Sequence, residues 1–197
     1  MLKPYCLIVA LLVSSMLIAA PQLHSNNSDK QSEPAQQSHL HGTAQLTLAL
    51  EGNALEISFE SPAANIVGFE HKATDEKQIK VVKQAKQKLQ AADLFSFSGS
   101  DCSLKKTEID MSSVIEEGHQ HNDREGHSEI SANYRYECST GEKLETVSVN
   151  LMSRFPAVKT LEVRWLTYRQ QGATKLKAQS NLIRIRWPMT KIQNIIN

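Results

Sequence analysis

Cysteine is scarce: the 197-residue chain has three, Cys6, Cys102 and Cys138, and no two stand in the close Cys-x-x-Cys spacing of a structural zinc site. An excess of one charge is also missing, with 22 Lys and Arg against 21 Asp and Glu. A nucleic-acid surface needs clustered cations to meet phosphates, and no cationic run occurs, which excludes that class. Long hydrophobic runs are absent too. The one apolar stretch reaches from about Tyr5 to Ala20, short of the roughly 20 residues a membrane-spanning helix requires. Neither a His-Glu-x-x-His sequence nor a recognisable nucleophile elbow occurs, and no internal repeat is apparent.

What is present begins with an export signature. Lys3 is the only charge in residues 1–20, an unbroken apolar stretch runs from Cys6 to Val13, and small residues close it at Ala19 and Ala20. This reads as a secretory signal peptide over residues 1–20, cleaved near its end, so that the mature chain is not membrane-spanning. Removing Lys3 leaves 21 cations against 21 anions. It also leaves Cys102 and Cys138 as a pair. In an exported chain two cysteines read as one disulfide, favoured over thiolate zinc ligands because an oxidising compartment would pair them. Residues 21–38 are rich in Gln, Ser and Asn and poor in apolar groups, the composition of a flexible tether. A single domain over residues 39–190 is expected to follow.

Alternation marks the first strands. Ala44, Leu46, Leu48 and Leu50 alternate with polar or small residues, as do Leu55, Ile57 and Phe59, with Gly52-Asn53 between them as a hairpin turn. After Ser61-Pro62 the period changes to about 3.6, and Ile79, Val82, Ala85, Leu89 and Ala92 predict one main amphipathic helix over about 75–93, capped by Thr74 or Asp75. Further strands are predicted from Cys102 to about Met111, through Ile130, Ala132, Tyr134, Tyr136 and Cys138, and over Leu144–Leu151, Leu161–Tyr168 and Leu182–Trp187. The fold class expected is α+β: an antiparallel β-sheet carrying that helix, with a projecting histidine-rich loop.

The loop lies between the cysteine-bearing strands. Gly118-His119-Gln120-His121-Asn122-Asp123-Arg124-Glu125-Gly126-His127 holds three of the seven histidines. Antiparallel partners have a constant sum of residue numbers. If Cys102 faces Cys138 the hairpin centres on residue 120, Asp110 faces Ile130, and His119 and His121 straddle the tip. The disulfide would then secure the base of this hairpin, contributing about 3 to 4 kcal/mol on the chain-entropy model. His-x-His spacing in extended chain points two imidazoles to one side, and Asp123 and Glu125 add oxygen donors, so His119, His121, His127, Asp123 and Glu125 are candidate metal ligands. A polar loop can also gather histidines with no function, but three beside several carboxylates favour a metal. The pattern suits zinc, copper or nickel, and affinity order alone would favour copper. A second His-x-His, His39-Leu40-His41, can join the loop or His71, while His71 reads equally as a structural histidine.

The stretches His39-Leu40-His41-Gly42, Leu50-Glu51-Gly52 and above all Glu60-Ser61-Pro62-Ala63-Ala64-Asn65-Ile66-Val67-Gly68-Phe69-Glu70-His71 resemble a family of bacterial periplasmic proteins, the ZrgA type. The likeness runs from His39 to about Trp187 and includes the paired cysteines around a histidine-rich insertion and Phe155-Pro156 after a late strand. It implies a zinc-regulated role in zinc acquisition, with a periplasmic solute-binding protein of a zinc ABC importer as partner. It also selects Zn2+ over copper and carries onto His39, His41, His119, His121 and His127 as ligands. The insertion here is shorter than the family's usual His- and Asp-rich run. The function expected is a non-enzymatic periplasmic zinc-binding protein that sequesters zinc or hands it to an import system. The alternatives are an adaptor with incidental histidines or a zinc-dependent hydrolase.

Overall fold

The computed structural model describes residues 41–115 and 128–185. The expected signal peptide, tether and His39, the histidine-rich segment from Gly118 to His127, and Trp187 lie outside the described residues.

Strand alternation builds the centre of the molecule. β1 (Thr43–Glu51) and β2 (Ala54–Pro62) pair antiparallel across the two-residue turn at Gly52-Asn53, with Leu50 opposite Leu55 and Leu46 opposite Phe59. Their inward residues Leu46, Leu48, Leu55, Ile57 and Phe59 are each no more than 1% exposed, so this hairpin is the floor of the core. A one-turn helix, α1 (Ala63–Ile66), follows β2 directly. Then comes α2 (Glu76–Leu89), the longest helix among the described residues. Asp75 caps it by accepting from the Gln78 amide at 2.8 Å, and the Gln78 side chain accepts in turn from the Thr74 amide at 2.9 Å. Val82, Ala85 and Leu89 are buried, but Ile79 is exposed.

The helix stops at Leu89, short of the expected residue 93. The chain turns away from the helical path there, leaving Ala92 exposed so that Leu94 and Phe95 can enter the core. Phe95 opens β3 (Phe95–Ser98), which pairs with β6 (Thr146–Val149), itself paired with β9 (Leu182–Arg184) in a three-stranded antiparallel sheet. The strand expected over Leu144–Leu151 is thus limited to β6, because Leu151–Arg154 winds into one helical turn, α3.

The larger sheet has the order β4-β5-β2-β1-β7-β8, adding β4 (Cys102–Asp110), β5 (Glu129–Cys138), β7 (Thr160–Thr167) and β8 (Gln171–Lys177). It is mixed, which corrects the purely antiparallel expectation: β7 runs parallel to β1, with Ala44 beside Leu161 and Leu48 beside Trp165. A period-two pattern records which face is buried and says nothing about strand direction. The inner face carries one continuous apolar core with α2 and the smaller sheet. Phe95 meets Tyr134 edge-on with ring centres 5.1 Å apart, and Phe97 meets Tyr136 at 4.8 Å, joining the two sheets. The Tyr134 hydroxyl donates to the Leu89 carbonyl at 2.8 Å, tying the end of α2 to the same point.

The β4–β5 register corrects the constant-sum expectation by one residue. Cys102 does face Cys138, and Cys102 and Cys138 form a disulfide, but the ladder shifts between Leu104 and Lys106, so Asp110 faces Ser131 in place of Ile130. The reason is visible in the side chains. An unshifted register would set Lys106, Glu108 and Asp110 beside Tyr134, Ala132 and Ile130, all of them buried. The bulge turns these three charges to the outer face and offers Thr107 and Ile109 to the core. Among the described residues no helix is long and apolar enough to cross a membrane.

Candidate metal centre

The segment from Ser61 to Ala73 is the corner on which the candidate site is built. Pro62 ends β2 and leads into α1, and Gly68, at a φ of 88°, reverses the chain afterwards. Two polar residues in the corner are buried, Ser61 and Asn65. Asn65 is fully engaged: its Oδ1 accepts from the Gly42 amide at 2.7 Å, and its Nδ2 donates to the Thr43 carbonyl at 3.0 Å and to Ser61 Oγ at 3.2 Å. Asn65 thereby fixes the start of β1, a stretch of chain more than 20 residues earlier. The Gly42 carbonyl in turn accepts from the amides of Lys159 and Thr160 at 2.7 and 2.9 Å, locking the same point to β7.

His41 therefore leaves a fixed backbone. Its Nε2 lies 3.2 Å from Glu70 Oε1, in an exposed pair with side chains 69% and 30% accessible. The neighbouring His71 is differently employed. Its Nδ1 lies 2.8 Å from the Lys72 carbonyl, and its ring stacks on Phe69 with centres 5.0 Å apart, leaving Nε2 uncommitted to either contact. Among the described residues no three His, Cys, Asp or Glu side chains come together as a metal centre, so His71 does not complete a triad with His41 and Glu70.

The same corner holds both flanks of the histidine-rich insertion. On its C-terminal side, Ser128 Oγ donates to the Glu70 carbonyl at 2.9 Å and the Ala63 amide donates to the Ser128 carbonyl at 2.8 Å. On its N-terminal side, the Ala73 amide donates to the Val114 carbonyl at 2.9 Å, and the Lys72 ammonium donates to the carbonyls of Ser112 and Ile115. The two flanks also bond each other through Ser113 Oγ and the Glu129 carbonyl at 2.6 Å. Asp110 starts the turn by accepting from the Ser112 amide, which holds its carboxyl below the usual carboxylate range. The disulfide stands at the other end of the ladder, eight residues along β4 and roughly 26 Å away at the rise of an extended strand. It secures the open end of the hairpin, while hydrogen bonds from the corner secure the flanks of the insertion.

Of the candidate ligands, the described residues include His41 and His71; His39, His119, His121, His127, Asp123 and Glu125 lie outside them. The bonded Cys102 and Cys138 are not thiolate ligands. Glu70 was missed by the sequence reading, although its place beside His71 in the long motif was the available signal.

A mixed β-sheet whose corner joins a histidine at one strand start to the flanks of a histidine-rich insertion defines a class of candidate metal-handling domain. The family model described as ZrgA family zinc uptake protein matches residues 38–185, and the chain belongs to that family. A search of the curated proteins finds no match.

Proposed function

We propose that this is a periplasmic, non-enzymatic zinc-binding protein that sequesters zinc or hands it to an import system, with a solute-binding protein of a zinc ABC importer as the receiving partner. The observation that carries this reading is the corner: one short segment bonds the flanks of the histidine-rich insertion and also holds Glu70 against His41. Membership of a family of zinc uptake proteins supports zinc as the cargo. Neutral imidazoles and carboxylates are the donor chemistry that zinc takes, and His119, His121 and His127, with Asp123, Glu125, His39 and His41, supply it. Residues 1–20 would direct export and be removed.

Calorimetric titration of the chelator-treated mature chain with zinc at neutral pH tests the reading. Wild type is expected to bind, and replacing His119, His121 and His127 with Ala is expected to weaken binding while leaving a residual component from the His41 side. A wild-type chain that binds no zinc would sink it. Binding should weaken as the solution is acidified, because protons compete with the ion for each imidazole.

A further inference from the structure

We propose that His41 and Glu70 are zinc ligands, forming a fixed two-donor site at the rim of the large sheet; this rests on the zinc-binding reading above. The donor spacing fits. Zinc bonds of about 2.0–2.2 Å to nitrogen and carboxylate oxygen, set at a tetrahedral angle, place two donors about 3.3–3.6 Å apart. His41 Nε2 and Glu70 Oε1 stand 3.2 Å apart, a small displacement from that spacing.

Both donors are positioned by the fold. His41 precedes Gly42, which is anchored by Asn65 and β7, and Glu70 is anchored through its own carbonyl to Ser128. The two sit 29 residues apart in sequence, so only the corner brings them together. Among the described residues Glu70 has no Lys or Arg ion pair; its ion-pair partner is His41. Exposure of His41 keeps the remaining coordination positions open to water or to further donors. An exposed His-Glu pair contributes little to folding by itself, so stability alone gives it a weak purpose. A rim site with two fixed donors and two open positions is suited to taking up an ion and releasing it, since few bonds must break.

The test uses the full mature chain and zinc chloride, with His41→Ala, Glu70→Gln and, as a surface control, Glu56→Gln. Each site variant is expected to lower zinc affinity by about tenfold or more, with the control unchanged and the melting temperature of the metal-free protein unmoved. Nuclear resonance of the His41 ring supplies a second readout that needs no variant: zinc should shift its Nε2 signal in wild type. Zinc binding by wild type with no shift at His41, or with unaltered affinity in both site variants, overturns the proposal and leaves the zinc-binding reading standing. A wild type that binds no zinc overturns both.

Discussion

Asn65 shows how much of the site's geometry rests on one side chain. Its amide satisfies the Gly42 amide, the Thr43 carbonyl and Ser61 Oγ in a buried setting. Asn65→Ala would remove all three bonds, at a cost of about 2–3 kcal/mol by denaturant unfolding. It should also weaken zinc binding, because His41 loses its fixed base. Tyr134 and Tyr136 set a different kind of residue-level limit. Burial pushes both phenols up, Tyr136 to about 12. The sign follows from the neutral form being favoured in the fold: their contribution is complete below the ordinary phenol value of about 10 and is lost as pH rises above it. Stability measured across an alkaline series should therefore decline above about pH 10, and Tyr134→Phe, which also gives up the bond to Leu89, should cost about 1–2 kcal/mol at neutral pH. Asp110 works in the opposite sense. With its carboxyl held low, its contribution is present above the ordinary carboxylate range and is lost on acidification.

Among the elements, the β4–β5 hairpin has two separate supports, the disulfide at one end and the hydrogen bonds of the corner at the other. The disulfide closes a span of 36 residues, worth about 4 kcal/mol on the chain-entropy model. Yet it stands at the far end of the ladder from the insertion. Replacing Cys102 and Cys138 with Ala should thus lower the unfolding free energy by about that amount while changing zinc affinity little under conditions where the variant stays folded. Equal losses in both measurements would show that the disulfide, and not the corner, governs the insertion. At the opposite side of the sheet, β7 and β8 depend on Gly172. A Cβ there would fall within the Trp165 ring, so Gly172→Ala must displace the indole and should cost about 1–3 kcal/mol.

For the whole molecule, zinc binding as proposed would be linked to folding. An ion that binds only the folded chain at 100 times its dissociation constant adds about 2.7 kcal/mol of stability. Melting with zinc at that excess should occur at a higher temperature than melting with chelator, and the difference should shrink in Glu70→Gln.

Apolar periodicity by itself determined where most strands begin, which side of β1, β2 and β5 is buried, and where α2 starts, because burial of alternate or every third-to-fourth side chain leaves its record in the order of residues. Cysteine pairing was legible for a chemical reason, and the family from the long motif. β3 is only four residues long, and β8 buries Leu176 alone, so neither leaves a pattern to read. Strand direction was also hidden: β7 lies parallel to β1 because of the path taken by the chain between them. Tertiary structure alone decided the bulge in β4, since the need to turn Lys106, Glu108 and Asp110 outward comes from the neighbours on β5. It also decided the meeting of His41 with Glu70, and of Glu70 with Ser128 at the flank of the insertion. Contacts between residues so distant in sequence depend on how the sheet closes, and local pattern cannot hold that information.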